Sequence, residues 1–346
     1  MSFFRPEIEA LEPYVPGRQP GRDVIKLNAN ENPYPPAPGV RAALAALDAD
    51  DMRLYPSAVS ERLRAEAASA FGVSSDWIIA GNGSDEVLAW IVRVFLDRGD
   101  EIAVVDPTYT LYEVLAAMQG ARTRRHPLSD TYALPAAFFG AKAKVTFLPN
   151  PNAQTGTLFP EEAIRRLCAG SPGIVVIDEA YGDFAGVTMM PLVREHGNLI
   201  VTRTLSKAQS LAGMRVGFAV STPAIIAGLC KVKDSYNVNV ASQAAGAAAL
   251  ADGAYLRATV AKIVATRERF AAALARLGWR VVPSAANFVL VAPPRGTARE
   301  WLDALEAKGF LVRHFNTPRL DNMLRISIGT DEQMHALRAC IDALRF

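Results

Sequence analysis

The sequence predicts an α/β protein whose large domain contains a mostly parallel central sheet and whose smaller C-terminal domain is of the α+β type. Between about residues 76 and 220, short β-rich runs alternate with segments of helical periodicity. Strands that alternate with helices indicate a largely parallel sheet covered on both faces. The chain of 346 residues is also long for one hydrophobic core, and its pattern changes after about residue 240, so we expect two domains.

Residues 1–40 are expected to form an N-terminal arm. Prolines recur in this segment from Pro6 to Pro38. Proline lacks a backbone N–H donor and favours extended backbone, so such a segment buries little by itself. We therefore expect the arm to lie across a larger body, such as the small domain, or across a neighbouring subunit.

Residues 41–240 are predicted to form the large domain. Helices are expected over residues 86–95 and around 161–167. The predicted strands are 77–80, 101–105, 145–148, 174–177, 199–201 and 216–220. These runs are mostly apolar, as is typical of strands buried on both faces of a parallel sheet.

Residues 241–346 are predicted to form the small domain. An Ala-rich region is interpreted as two helices, the second near residues 255–277, and further helices are expected over 298–307 and at the C-terminus. The predicted strands are 281–282, 288–291, 311–313 and 323–328. This mixture indicates a compact α+β module.

The composition favours small-molecule partners. Lys and Arg together number 37 and Asp and Glu 35, which gives a formal net charge of +2. Proteins that wrap nucleic acid or anionic membranes are less balanced, so we expect neither partner. No run reaches the roughly 18 apolar residues of a membrane-spanning helix.

The cysteines and histidines predict neither a disulfide framework nor a metal site. Cys168, Cys230 and Cys340 are widely spaced and form no Cys-x-x-Cys pattern, and the four histidines show no metal-ligand spacing. Unpaired cysteines favour a reducing compartment, so we expect a cytoplasmic protein.

Two polar segments follow predicted strands and suggest a cofactor site. Asp178 ends the apolar run 174–177, where ligands of α/β sheets collect. Lys207 follows the next predicted strand, with Ser206 beside it and Arg215 eight residues on. An amine for an imine link, a carboxylate for a pyridine nitrogen and donors for a phosphate are what pyridoxal phosphate requires. Taken singly, Asp178 is also explained as a cap of the next turn, and Lys207 as a solvated lysine.

The segment from Gly81 to Glu86 lies between a predicted strand and a predicted helix. Backbone N–H groups at such a helix start favour a phosphate. The alternative is an ordinary glycine turn followed by an N-cap. The segment is not the dinucleotide-binding fingerprint, because Glu86 occupies the position of its third glycine.

Three further side chains are candidates for ligand contacts. Tyr109 follows a predicted strand and could stack on a planar ring, or simply pack. Arg313 and Arg325 fall in short strands of the small domain, where two converging guanidinium groups would bind a substrate anion. Surface salt bridges are the alternative for both arginines. A nucleophilic pair of Ser206 and Lys207 is disfavoured, because no oxyanion site accompanies it.

Seven segments, in chain order over nearly the whole sequence, resemble the histidinol-phosphate aminotransferases. They are 28–33 (Asn-Ala-Asn-Glu-Asn-Pro), 54–56, 81–86, 106–109, 178–181, 205–207 and 324–330. The Asp-Glu-Ala-Tyr and Ser-Lys segments are similar to the wider superfamily of fold-type I aminotransferases. The Asn-Glu-Asn-Pro and Tyr-Pro segments point to the narrower family.

The resemblance implies a pyridoxal-phosphate enzyme that is a homodimer with active sites at the subunit boundary. Lys207 would form the imine and act as the base, Asp178 would hold the pyridine nitrogen, and Tyr181 would bind the ring oxygen. The cofactor-binding residues that it implies are Ser84, Asp85, Tyr109, Asn152, Asp178, Tyr181, Thr204, Ser206, Lys207, Arg215 and Tyr55 of the partner subunit. The substrate-binding residues that it implies are Tyr14, Asn30, Arg313 and Arg325.

One position departs from the family pattern. The asparagine that bonds the ring oxygen in the family falls on Ala153, with Asn152 one residue earlier. Either a shifted loop lets Asn152 serve, or Tyr181 holds the oxygen with less help. Loss of one such hydrogen bond costs about 1–3 kcal/mol.

The activity that the resemblance implies is amino transfer between L-histidinol phosphate and 2-oxoglutarate, which gives imidazole acetol phosphate and glutamate in histidine biosynthesis. An aromatic amino-acid aminotransferase on the same scaffold is the alternative, and a phosphothreonine-type decarboxylase is a weaker one. A ligand-binding regulator is disfavoured because no basic stretch suggests a DNA-binding module. A nicotinamide oxidoreductase is disfavoured by the missing third glycine.

Overall fold

A seven-stranded sheet lies at the centre of the protein in its computed structural model, which describes residues 2–11, 21 and 23–344. The described residues form two smaller sheets as well. The strands of all three sheets, in chain order, are β1 (Ile25–Lys26), β2 (Ile78–Gly81), β3 (Glu101–Asp106), β4 (Arg122–Pro127), β5 (Val145–Pro149), β6 (Ile174–Asp178), β7 (Leu199–Thr204), β8 (Gly217–Val220), β9 (Arg280–Val282), β10 (Phe288–Ala292), β11 (Phe310–Leu311), β12 (Arg313–His314) and β13 (Leu324–Ser327).

The helices cover both faces of this sheet and pack around the smaller one. In chain order they are α1 (Pro6–Glu9), α2 (Pro38–Ala45), α3 (Ala49–Arg53), α4 (Glu61–Phe71), α5 (Ser84–Phe95), α6 (Leu111–Met118), α7 (Glu161–Gly170), α8 (Gly182–Ala185), α9 (Pro223–Cys230), α10 (Val240–Ala251), α11 (Gly253–Arg276), α12 (Ala298–Ala307) and α13 (Asp331–Ala343). Among the described residues, no helix combines the length and apolar character that crossing a bilayer requires.

The central sheet has the strand order β2-β8-β7-β6-β5-β3-β4. Strand β8 is antiparallel to both of its neighbours, whereas the remaining pairs are parallel. Residues of β2, β5, β7 and β8 are buried at every position, because helices cover both faces. The predicted mostly parallel sheet is confirmed.

A smaller antiparallel sheet has the order β12-β13-β10-β9. Next to it, β1 of the arm pairs in parallel with β11, and Leu27 N donates to Leu311 O over 2.8 Å. Leu27 is buried in the same apolar cluster as Phe288 and Ile326. Part of the arm therefore pairs and packs with C-terminal residues. The domain boundaries at residues 40 and 240 stay a prediction.

Several elements differ from those expected from the sequence. The arm, which was expected to be extended and to bury little, contains α1 and β1, and its last residues form the start of α2. The single strand expected over 311–313 is split into β11 and β12, which join different sheets. The edge strand β4 was not predicted, because its sequence Arg-Thr-Arg-Arg-His-Pro buries only His126. Helices α2, α3, α4, α6 and α9 were also missed.

The topology brings several chain segments to one edge of the central sheet. Strands β3, β6 and β7 run in the same direction, so their carboxyl ends lie together. Those ends carry Asp106, Asp178 and Thr204. This is the edge at which ligands of α/β proteins bind.

Candidate active site

A cavity of about 590 Å³ lies at this edge, between the central sheet and the small sheet. Residues 28–30 of the arm line it as well. The predicted site residues that line the cavity are Asn30, Ser84, Asp85, Tyr109, Asp178, Tyr181, Thr204, Ser206, Lys207, Arg215, Arg313 and Arg325. Asn152 and Tyr55 do not line it, and Tyr14 lies outside the described residues. The roles assigned to these side chains stay predictions.

Lys207 follows β7 and its amine points to the arm. Its Nζ donates to the backbone oxygen of Ala29 over 3.1 Å. The same nitrogen lies 5.8 Å from the ring centre of Tyr181. The arm therefore closes over the amine, and the backbone oxygen of Ala29 holds it at the cavity wall.

Asp178 is almost fully buried, with 4% of its surface exposed. Its Oδ2 accepts a hydrogen bond from the Tyr112 hydroxyl over 2.7 Å, and its Oδ1 accepts one from the backbone N–H of Ala180 over 3.1 Å. Burial raises the pKa of Asp178 above its ordinary value, and these hydrogen bonds oppose the rise. Such a carboxylate strongly favours a cationic or proton-bearing partner.

Tyr112 was not predicted as a site residue. It is fully buried and stacks on Phe147, with ring centres 4.7 Å apart. Burial and the neighbouring Asp178 raise the pKa of Tyr112 well above its ordinary value, so its hydroxyl remains a donor. Its sequence position could have indicated this role, because Tyr112 follows Tyr109 by three residues. This spacing places both rings on one face of α6 and the turn before it.

Tyr181 contacts the arm through its hydroxyl. The side-chain Nδ2 of Asn30 donates to Tyr181 Oη over 2.9 Å. Ser327 Oγ accepts from the backbone N–H of Asn30 and donates to Asn30 Oδ1. Because Ser327 Oγ donates to the amide oxygen of Asn30, the amide nitrogen of Asn30 faces Tyr181.

The start of α5 lies at the cavity and offers backbone donors to an anion. No side chain caps this helix, whose N-cap residue is Gly83, so the first backbone N–H groups, including those of Ser84 and Asp85, point outward without a capping oxygen. Gly83 has φ +90°, and a Cβ there would lie 2.6 Å from Arg215 Nη2. Only glycine allows the guanidinium to come this close.

Side chains of three segments complete this end of the cavity. Arg215 Nη1 donates to Ser206 Oγ over 3.3 Å, and its Nη2 pairs with Asp85 over 3.2 Å. Thr204 Oγ1 donates to Ser206 Oγ over 3.0 Å. Tyr109 donates to the other carboxylate oxygen of Asp85 over 3.2 Å. Arg215, Ser206 and the start of α5 can therefore offer donors to an anion, while Asp85 balances part of the Arg215 charge.

Arg313 and Arg325 occupy directly opposite positions on β12 and β13. Their guanidinium carbons lie 5.3 and 5.1 Å from the ring centre of Phe315. Arg325 Nη1 also donates to Ala153 O over 3.0 Å. The antiparallel pairing therefore explains how two arginines twelve residues apart reach one cavity.

The loop that contains Asn152 does not present its side chain to the cavity. Asn152 is fully buried, and its Nδ2 donates to Pro107 O over 3.0 Å. Its Oδ1 accepts from the backbone N–H groups of Gln154 and Thr155. The side chain is used to hold the loop, so the predicted cofactor contact of Asn152 is not supported by this geometry.

The residues present fit pyridoxal phosphate. A lysine amine, a buried carboxylate and an uncapped helix start with an arginine line one cavity. Gly83 lets the Arg215 guanidinium lie against the backbone at the start of α5, since a Cβ there would be 2.6 Å from Nη2. Lys207, Asp178, Ser206 and Arg215 would hold the cofactor by its aldehyde carbon, ring nitrogen and phosphate.

Comparisons with known proteins agree with this chemistry. The family model "Aminotransferase class I and II" matches residues 22–341. A histidinol-phosphate aminotransferase of Geobacter sulfurreducens is 48% identical over 345 residues, which cover 98% of each chain. Histidinol-phosphate aminotransferase 1 of Trichormus variabilis is 44% identical over 99% of each chain.

Solved structures give the same result. The histidinol-phosphate aminotransferase of Sinorhizobium meliloti in complex with pyridoxal-5'-phosphate superposes with a TM-score of 0.90 and 31% identity, covering 100% of this chain and 99% of that one. An aspartate aminotransferase double mutant of Thermus thermophilus, with a TM-score of 0.82 and 20% identity over 99% of each chain, shares the fold.

Proposed function

Since the chain belongs to the class I and II aminotransferases, and within them to the histidinol-phosphate aminotransferases, we propose that it transfers an amino group between L-histidinol phosphate and 2-oxoglutarate. The products are imidazole acetol phosphate and glutamate, in histidine biosynthesis. The predicted fold class, fold-type I, is confirmed by the structural neighbours. The cofactor is pyridoxal phosphate.

The observation that carries this proposal is the presence of Arg313 and Arg325 in the cavity that also contains Lys207. Two guanidinium groups opposite each other provide a fork for an oxyanion of the substrate. A phosphate and a carboxylate both satisfy such a fork. One site can therefore receive the phosphorylated amine and the dicarboxylate in turn.

Asp178, Tyr181 and Lys207 then have separate roles in the reaction. When bound, pyridoxal phosphate supplies an aldehyde that accepts the amino group and a ring that withdraws electrons from the neighbouring carbon. Asp178 holds the proton at the ring nitrogen, and Tyr181 donates its hydroxyl proton to the ring oxygen. Lys207 Nζ moves a proton at the substrate carbon as general base and acid. The arm excludes water by covering Lys207 and Tyr181.

The phosphate of the cofactor is assigned to a separate set of donors. The backbone N–H groups of Ser84 and Asp85, the hydroxyl of Ser206 and the guanidinium of Arg215 provide charge-assisted hydrogen bonds to it. Their positions at the start of α5 and after β7 support this assignment.

We also propose that the protein is a cytoplasmic homodimer in which Tyr55 of the partner subunit completes the phosphate site. Tyr55 is 81% exposed and stacks on Tyr236 with ring centres 4.4 Å apart. Met52 and Leu54 beside it are 68% and 56% exposed. An exposed apolar group of this kind supports burial against a second copy. The three cysteines are free, which agrees with a reducing compartment.

An amino-transfer assay with 2-oxoglutarate tests the activity. Histidinol phosphate, unphosphorylated histidinol and phenylalanine are compared as donors by kcat/KM. We expect histidinol phosphate to exceed both others by at least about a hundredfold, since a bidentate charged contact contributes about 3 kcal/mol. Preference for phenylalanine would instead identify an aromatic amino-acid aminotransferase, and release of carbon dioxide a decarboxylase.

A further inference from the structure

Gln154 joins the two walls of the cavity. Its side chain lines the cavity, and only 6% of the residue is exposed. Its Nε2 donates to the backbone oxygen of Thr108 over 3.2 Å, and its Oε1 accepts from Arg325 Nη1 over 3.3 Å. Thr108 follows β3 of the central sheet, whereas Arg325 belongs to β13 of the small sheet. One amide therefore spans both sheets.

The orientation of this amide is fixed by its partners. A guanidinium group only donates and a backbone carbonyl only accepts, so the oxygen of Gln154 must face Arg325 and its nitrogen must face Thr108. The backbone N–H of Gln154 donates to Asn152 Oδ1 over 2.9 Å, which holds the loop itself. Rotation of the amide by half a turn would break both side-chain hydrogen bonds.

The contact of Gln154 with Arg325 uses a neutral oxygen. The same Nη1 donates to the carbonyl oxygen of Ala153 over 3.0 Å. The guanidinium carbon lies 5.2 Å from the ring centre of Phe288 and 5.1 Å from that of Phe315. These groups orient the guanidinium without neutralising its charge, and the apolar rings strengthen its attraction for an anion.

We propose that Gln154 is a positioning residue that holds Arg325 for the anionic group of both substrates. The inference rests on the proposed function, because it assigns the anion contact to Arg325. A neutral amide oxygen holds the guanidinium in place without adding a negative charge beside it. A carboxylate at this position would pair with Arg325 and compete with the substrate anion.

Three variants test this role. Gln154→Glu replaces the neutral acceptor with an anionic one, and Gln154→Leu removes the acceptor at similar size. Both variants lose the donor to Thr108 O. Gln119→Glu is the matched control, because Gln119 is partly buried, donates through Nε2 to Leu96 O over 3.1 Å and lies outside the cavity lining. Each cofactor-loaded variant is assayed for KM and kcat with both substrates, and for binding of inorganic phosphate by calorimetry.

We expect Gln154→Glu to raise both KM values and the Kd of phosphate by roughly ten- to a hundredfold, with a smaller fall in kcat, because a charged competitor occupies the arginine. Gln154→Leu should raise them by less than about tenfold, because Ala153 O still accepts from Arg325 Nη1 when the hydrogen bonds of Gln154 are lost. Gln119→Glu should match the wild type. At acid pH, protonation of the introduced carboxyl should restore phosphate binding relative to the wild type at the same pH.

Unchanged phosphate and substrate binding in Gln154→Glu would overturn the proposal, as would equal losses in the Glu and Leu variants. Thermal unfolding of each variant shows whether a loss of binding reflects a loss of fold. Failure of the proposed function has a different signature, because the wild type itself would then show no preference for phosphorylated over unphosphorylated amines.

Discussion

The side-chain amide of Asn30 donates a hydrogen bond to the hydroxyl oxygen of Tyr181 over 2.9 Å. Ser327 holds the amide oxygen of Asn30, so the direction of this bond is fixed. The hydroxyl oxygen of Tyr181 is thereby an acceptor on the side of the arm, and its own proton is left to point elsewhere. A tyrosine that accepts such a bond is a stronger donor to a ligand.

Replacement of Asn30 is expected to change the titration of the bound cofactor. In Asn30→Ala, Tyr181 becomes a weaker donor to the ring oxygen, which it stabilises as an anion. The pH midpoint of the visible absorbance change should rise by roughly half to one unit, as expected for a bond worth about 1 kcal/mol. Asn198→Ala, which removes an amide outside the cavity lining, should keep the wild-type midpoint; an equal shift in both variants would contradict the role of Asn30.

Loss of the Tyr112 hydroxyl is expected to destabilise the cofactor-free protein. Tyr112→Phe preserves the ring stacked on Phe147 but leaves buried Asp178 with one hydrogen bond fewer. The free energy of unfolding at neutral pH, from urea titration, should fall by about 1–3 kcal/mol. Tyr132→Phe is the control, because its hydroxyl makes only a 3.7 Å contact with Met323 Sδ. Equal losses would show that Asp178 gains nothing from Tyr112.

Lys207→Ala should abolish the covalent attachment of the cofactor. The amine next to Ala29 is then absent, so dialysis should remove the visible absorbance, and the rate of amino transfer should fall by roughly a thousandfold or more. Lys262→Ala, which removes an amine near Tyr34 and outside the cavity lining, should retain both colour and rate. A coloured Lys207→Ala protein after dialysis would refute the assignment.

Mixed dimers test whether Tyr55 serves the other subunit. Tyr55→Ala should weaken cofactor binding by roughly tenfold or more, since one hydrogen bond to a charged phosphate is lost. A dimer of one Tyr55→Ala chain and one Lys207→Ala chain has one site with both residues intact if Tyr55 acts across the boundary. Mixing the two chains after mild dissociation should therefore restore activity. If activity does not recover, Tyr55 either serves the site of its own chain or has no role in the site.

Stability should fall in mildly acid solution because of His126. Burial lowers the pKa of His126 below 6.5, and Arg124 lowers it further. Below pH 6.5 the unfolded chain therefore binds more protons than the folded protein, so stability decreases as pH falls toward the folded-state pKa. His126→Phe, which keeps a ring against Phe138, should show a smaller drop in Tm between about pH 7 and pH 5. An unchanged drop would assign the effect to other groups.

The sequence predicted those features that follow from local pattern. Apolar runs followed by Asp178 and by Lys207 predicted both the central sheet and the edge at which these two residues meet, because parallel strands end together. The opposed arginines were expected to converge, and the pairing of β12 with β13 shows how they do so.

The features that escaped prediction depend on contacts between distant segments. Nothing local marks Gln154 as a partner of Arg325 or Asn30 as a partner of Tyr181, since these pairs are 171 and 151 residues apart. Strand β4 escaped because an edge strand with four exposed positions needs no apolar alternation. The direction of the Asn152 amide could not be predicted, because it depends on loop geometry rather than on residue type.

The parallel pairing of Ile25 with Phe310 ties the cover of the lysine amine to the C-terminal part of the fold. Ala29 and Asn30, which contact Lys207 and Tyr181, follow directly after β1. The two paired strands are far apart in sequence, and closing so long a loop has an entropic cost that the contacts of the folded small sheet offset. Local unfolding around β11 should therefore also open the cavity to water.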